Sequence, residues 1–266
     1  MTDQPDQLLA QLGFRFGING PHAARTMMLD DLRVLLSRSE PTANHADYAA
    51  AIVSENVLAK STRKGRDLAL KHLGTLYGLD GSNPIFRVLR RLWSSDETAQ
   101  PMLALMVSLA RDPLLRGSKE FFLSHSKGEA VTREDGEAFL SSSFPDRFSQ
   151  ASLKSIAQNL AGTWTAAGVL AGHRRKTRVA PILKPEVITL CLFLGYLQGR
   201  SGQRLFTSEW MNLLDGSPDE LEALADSAFH RGHLVFLNAG GVKEVRFPGY
   251  LTPEEERIRQ EVSHVV

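Results

Sequence analysis

The chain has 266 residues, of which 42% are hydrophobic and 23% charged. Those proportions support a buried core and exclude a chain disordered throughout. Its formal net charge is +1 and it holds one cysteine, Cys191, which excludes an internal disulfide framework and suits a reducing, cytoplasmic setting.

Residues 1–20 are expected to be a flexible N-terminus, because Gly13, Gly17, Gly20 and Pro21 break any helix. The opening Met1–Gln7 is polar and carries two aspartates, unlike a secretory signal. Residues 21–125 read as a helical domain. Met27, Met28, Leu32, Leu35 and Leu36 predict a helix over 22–38, ended by Pro41. A second helix is predicted over 45–56. After the turn Val57-Leu58-Ala59-Lys60, Ser61 or Thr62 caps a third that runs to about Tyr77. The pair resembles a helix-turn-helix, with Lys60, Arg63, Lys64 and Lys71 as a secondary nucleic-acid-binding set. A charged surface helix explains those four residues equally well. Helices are also predicted over 85–93 and 102–111, the second apolar enough to sit at the centre of the core.

From residue 126 to 184 the pattern changes. Thr132 caps a short helix, with Asp135 three residues on, and Ser149 caps a long one that Gly168 stops. Short strands over 169–172 and 177–183 flank the turn His173-Arg174-Arg175-Lys176. Helix, helix, strand, turn, strand is the order of a winged helix. The order recurs over 185–252: helices at 185–198, 205–214 and from Ser217-Pro218, then a hairpin around Asn238-Ala239-Gly240-Gly241. Residues 253–266 form a polar tail expected to pack loosely. The fold class is therefore mainly α: a helical N-terminal domain followed by two winged-helix-like units with short β-hairpin wings. The longest apolar run, Val187–Leu197, has 11 residues, where a membrane span needs about 20. It reads as a buried helix with Cys191 as an inert core residue, and no membrane association is expected.

Charge is segregated along the chain. Residues 147–185 carry seven Lys/Arg and no Asp or Glu, so the remainder of the chain sums to −6. A polyanion meets that local field, not the whole-chain balance. On the Ser149–Gly168 helix, Leu153, Ile156, Ala157, Leu160 and Trp164 share one face. Lys154, Ser155, Gln158 and Asn159 point elsewhere, and such side chains reach phosphates and base edges. With Arg174, Arg175, Lys176 and Arg178 of the wing they form the expected nucleic-acid-binding set. An ordinary solvated face would mix both signs of charge. The third helix of the second unit carries Asp219, Glu220, Glu222 and Asp226, which phosphates would repel. A supporting or partner-binding role fits it better.

No G-x-x-x-x-G-K-[ST], G-x-G-x-x-G, G-x-S-x-G or H-E-x-x-H pattern occurs. The glycine-rich Gly195–Gly202 follows a helix and reads as its C-terminal loop. His230 and His233 read as a helix end, not a metal site. The expectation is a non-enzyme with no cofactor, no metal and no small-molecule substrate.

Three stretches carry a family resemblance: Glu55–Arg63 (ENVLAKSTR), Met102–Leu115 (MLALMVSLARDPLL), and Phe148–Gly168 with the Lys-Arg run that follows. In these, and over roughly residues 22–250, the chain resembles the BrxA family of BREX bacteriophage-defence systems. The resemblance implies a small helical protein with helix-turn-helix or winged-helix parts that binds double-stranded DNA beside other phage-defence proteins. It supplies no catalytic residue. The acidic helix of the second unit departs from DNA contact by that part. Two rivals stand beside DNA binding: a protein-interaction adaptor that docks an acidic partner on the basic stretch, and an RNA-binding or antitermination-type protein.

Overall fold

The structure is a computed structural model that describes residues 4–265; Met1–Asp3 of the expected flexible N-terminus and Val266 of the tail lie outside them. In chain order, α1 (Gln4–Gln11) leads to a 3-10 turn at Pro21–Ala23, then α2 (Leu29–Ser37) and α3 (His45–Ala49), which runs into a π-helical turn at Ala50–Ser54. Next come α4 (Arg63–Tyr77), α5 (Pro84–Trp93), a 3-10 turn at Glu97–Ala99, α6 (Gln100–Arg111), α7 (Pro113–Gly117) and α8 (Lys119–Leu123). The middle holds β1 (Ala130–Val131), α9 (Arg133–Ser143), α10 (Gln150–Ala166), β2 (Leu170–Ala171) and β3 (Lys176–Arg178). The rest is α11 (Pro185–Leu197), α12 (Gln203–Phe206), α13 (Glu209–Asn212), α14 (Pro218–His230), β4 (Val235–Ala239), β5 (Val242–Arg246) and α15 (Pro253–Val265).

The fold is mainly helical with short β wings. In the first unit the strand order is β1-β3-β2, antiparallel, with Ala130 opposite Thr177 and Leu170 opposite Arg178. In the second, β4 and β5 form a hairpin with Ala239 opposite Val242. The predicted caps lie at the predicted places. Thr62 accepts from Gly65 N, Thr132 and Asp135 complete a capping box, and Ser149 and Ser217 accept from Ser152 N and Glu220 N. β1 and the short helices α7 and α8 had no clear sequence signal. The helix predicted over 205–214 is two short ones, because Ser208 breaks it, caps α13 and packs against Gly195 of α11.

α6 is the central element, buried along nearly its whole length. It packs against α4, α5, α10 and α11, so one hydrophobic core crosses every domain boundary drawn from the sequence. α1, placed by the sequence in a flexible segment, packs against α15 of the expected loose tail, with Leu9 and Val262 buried. Apolar side chains on both helices cover each other, which glycine placement alone did not show. Cys191 is fully buried, and burial pushes its thiol up. Among the described residues no helix is long and apolar enough to cross a membrane.

The helix predicted over 22–38 begins only at Leu29, with Met28 in the left-handed region (φ 54). The preceding residues are held by a buried polar knot instead. His22 Nδ1 lies 2.7 Å from Asp112 Oδ2, His22 Nε2 lies 2.8 Å from Thr163 Oγ1, and Met27 N donates to that Thr163 oxygen at 2.9 Å. Asp112 also caps α7, accepting from Leu114 N and Leu115 N. All three side chains are fully buried. A Cβ on Gly20 would fall 1.7 Å from Asp112 Oδ1, so the loop closes over the carboxylate only because that residue is glycine.

Two stability changes are expected. Asp112→Ala should cost about 3–5 kcal/mol, because it strands a buried imidazole and three backbone N–H groups. Burial pushes the Asp112 carboxyl up, but the hydrogen bonds and charge of His22 and the Leu115 N–H outweigh it and hold it below the usual range. Its contribution is therefore present above the unfolded-chain value and lost as the pH falls into the acid range, so the variant and wild type should converge in acid. Trp164→Ala should cost about 3–5 kcal/mol as a core truncation, since Trp164 is buried against Phe122 and its indole N–H reaches Ser118. Denaturant titration checks both; a loss below about 1 kcal/mol in either would contradict the packing described.

Candidate nucleic-acid interface

α10 has one apolar and one acid-free polar face. Leu153, Ile156, Ala157, Leu160 and Trp164 are buried, as the spacing predicts. Lys154, Ser155 and Gln158 are exposed. Asn159 is not on that face: it is half-buried, and its Nδ2 donates to His22 O at 3.1 Å. It braces the N-terminal segment and is withdrawn from the expected contact set.

Past Gly168 the chain turns into the wing. Gly172 has φ +98, and a Cβ there would fall 2.1 Å from Arg175 O. The turn is closed against that carbonyl, which leaves His173, Arg174 and Arg175 out in solvent. Neither Arg174 nor Arg175 has an acidic partner among the described residues.

The next two cations behave differently. Lys176 is half-buried, its Nζ donates to Thr165 Oγ1 at 2.8 Å, and burial lowers its ammonium pKa. Arg178 is 2% exposed. Its guanidinium contacts Asp215 Oδ2 at 3.1 Å and the carbonyl oxygens of Val169 and Val179. The sequence placed Arg178 on the exposed wing because no acid lies near it in the chain. The acid comes from the loop after α13 instead, and Arg178 is a structural residue.

A groove of about 730 Å³ runs between these elements. Its floor is Ala157, Gln158, Ala161 and Gly162 of α10, one wall is His173–Lys176, and the other is residues 130–134. Ala157, Ala161 and Gly162 of the floor are small, and the wing wall is cationic. Arg133 on the far wall escaped sequence reasoning, although its place beside the Thr132 cap could have put it there. It is held by Glu134 and Glu137 at 2.5 and 2.9 Å.

The secondary set divides likewise. Lys60 is bound by Asp31 at 2.8 and 3.0 Å, and Arg63 pairs with Asp67 at 3.2 Å. Lys64 and Lys71 are exposed and have no acidic partner among the described residues. On α14, Glu222 binds Lys243 and Asn238 of the hairpin, while Asp219 and Glu220 stay exposed. His230 and His233 mark a helix end, as expected. The His230 ring contacts Asp226 O at 3.0 Å, and His233 lies 3.2 Å from the buried Glu186.

No protein-family model matches the chain, and no curated protein does. Solved structures of similar fold include an SspB crystal structure, with a TM-score of 0.52 and 13% identity over 97% of this chain and 100% of that one. A magnesium-ion-bound SspB crystal structure has a TM-score of 0.50 and 11% identity over 96% and 99%.

The two kinds of basic residue should separate by stability. Arg178→Ala should lower it by about 2–4 kcal/mol, since it removes a buried charge-assisted hydrogen bond and leaves carbonyls unpaired. The double change Arg174→Ala, Arg175→Ala should stay within about 0.5 kcal/mol. Equal thermal or denaturant midpoints for the two variants would contradict the placement of Arg178.

Proposed function

We propose that this chain is a non-enzymatic, cytoplasmic protein that binds double-stranded DNA, and that it serves as an accessory component of a bacterial phage-defence system, alongside other defence proteins. In this reading β1, α9, α10, β2 and β3 work as a winged helix, with α10 toward the duplex and the wing on its backbone. The observation that carries the reading is the pair Arg174 and Arg175, exposed, without an acidic partner among the described residues, and beside the acid-free face of α10. Two such arginines side by side repel each other, and phosphates would relieve that repulsion. Lys154, Ser155 and Gln158 complete the contact set, while Lys176, bonded to Thr165, supports the wing. The non-enzymatic reading rests on the lack of a recognised catalytic motif. The defence setting rests on the BrxA resemblance and agrees with a fold shared with SspB along nearly the whole chain.

Binding to random duplex DNA should weaken as salt rises, with a slope of log affinity against log salt of about −0.9 per phosphate contact. Removing Arg174 and Arg175 together should flatten that slope by roughly 1.8 and weaken binding to all sequences alike. Gln158→Ala should instead alter sequence preference, where there is any, and leave the slope in place. Anisotropy titrations at several salt concentrations, with single-stranded RNA as competitor, decide among the readings. An unchanged slope in the folded double variant would make the adaptor reading the better one, and preference for the RNA would favour the RNA-binding one.

A further inference from the structure

We infer that Asp215 of the second unit is a positioning residue for the first wing: it braces β3 from outside and so sets where Arg174 and Arg175 stand, without touching a polyanion itself. The inference rests on the proposal that the wing contacts DNA.

The anchoring of β3 carries it. That strand follows directly on the turn that holds Arg174 and Arg175, and two of its side chains fix it. Lys176 is tied to Thr165 of α10 at 2.8 Å, within the same unit. Arg178 is tied outward. Its side chain is 2% exposed, and its guanidinium donates to Val169 O at 3.3 Å, to Val179 O, and to Asp215 Oδ2 at 3.1 Å. Val169 precedes β2 and Val179 follows β3, so the guanidinium lies across the base of the hairpin. The backbone of the same residue joins the segment that leads into β1. Arg178 N donates to Glu129 O and Arg178 O accepts from Gly128 N, both at 2.9 Å. Among the described residues, Asp215 alone gives Arg178 a carboxylate. A buried guanidinium that loses its counter-charge is strongly unfavourable. Turning it out to water would unpair both carbonyls and release the base of the hairpin. Lys127 also reaches Asp215, at 3.3 Å, but its side chain is 55% exposed, and a surface pair adds little.

Asp215 is itself held firmly. Leu213 and Leu214, just before it, are buried. Just after it, a Cβ on Gly216 would fall 3.0 Å from Leu221 Cδ2 and 3.1 Å from Leu183 Cδ1. The loop is thus seated both on α14 and on the segment that leads out of the wing. Ser217 then caps α14. Asp215 has φ 55, a left-handed backbone that a non-glycine residue keeps only where its surroundings fix it. The α13–α14 joint is therefore a fixed point against which the wing is braced.

Two effects of removing this charge have opposite signs, which makes the test decisive. Asp215→Asn takes the formal net charge from +1 to +2, and long-range attraction alone would then tighten DNA binding. Loss of wing positioning would weaken it. Asparagine keeps the side-chain shape and tolerates the left-handed backbone, and a denaturant titration confirms that the full-length variant is folded under assay conditions. On a random duplex, Asp215→Asn should weaken binding and flatten the salt slope by up to roughly 1.8, the share of Arg174 and Arg175. Made on top of Arg174→Ala, Arg175→Ala, it should flatten the slope no further. Hydrogen exchange at the Gly128 and Arg178 amides should quicken. Asp219→Asn, the same change of charge on α14, should leave slope and exchange at wild-type values. A wild-type or steeper slope in Asp215→Asn would overturn the inference, as would flattening that adds in full to that of the wing pair, or unchanged exchange. A wild-type slope in Arg174→Ala, Arg175→Ala would instead refute the DNA reading, and the inference with it.

Discussion

The His22–Asp112–Thr163 knot is the constraint on which the architecture turns. It joins residues separated by 90 and 141 positions in the chain, and all of it lies out of water. The pattern of donors orients the ring. Asp112 accepts two backbone N–H groups on Oδ1 and the backbone N–H of His22 on Oδ2. The ring Nδ1 facing that carboxylate must therefore carry a proton. Nε2 lies 2.8 Å from the Thr163 hydroxyl oxygen, which accepts Met27 N–H. Every polar side-chain atom of the knot has a partner, so the knot rigidifies the fold where a half-satisfied one would weaken it. Its geometric effect is to tie the N-terminal segment, the α6–α7 joint and α10 into one body.

That body decides which basic residues face solvent. Lys176 and Arg178 lie on the same strand two residues apart, so their side chains share a face of the small sheet. That face is turned inward, toward Thr165 and Asp215. Arg174 and Arg175 sit in the turn, where no alternation draws either of them in. A run of cations that looks uniform in the sequence is thus divided by strand geometry into two that support the wing and two that are offered outward.

How far the sequence could be read follows the range of each signal. Caps act within three residues, so Thr62, Thr132, Ser149 and Ser217 announced their helices correctly. The apolar faces of α6 and α10 were legible for the same reason, since periodicity is local. What stayed hidden depends on distant partners. Asp215 neutralises Arg178 from 37 residues away. Asn159 is polar and faces away from the helix's apolar stripe, yet it finds a carbonyl 137 residues back. α1 and α15 pack on each other from opposite ends of the chain. β1 is two residues long, too short for any alternation to show. Local pattern states what a residue can do on its own element, and tertiary packing decides whether another segment arrives to occupy it.

The same distinction governs the electrostatics of the whole molecule. Counted by sign alone, the chain is nearly neutral, and its C-terminal third looks like a match for its basic middle. Counted by compensation, the two differ. Glu186 is buried between Arg231 and His233, and Glu222 is held by Lys243, so part of the acidic charge of the second unit is answered within that unit. Arg174, Arg175, Lys154 and Arg25 have no such answer among the described residues. Surface charges separated by more than about 8–10 Å are screened from one another at physiological salt. An approaching polyanion therefore responds to the nearest uncompensated cluster and not to the sum. The uncompensated cluster of the wing lies beside the exposed face of α10, and the knot holds α10 and the N-terminal segment in fixed relation. A fixed backbone under such charges lowers the ordering cost that any polyanion binding would carry.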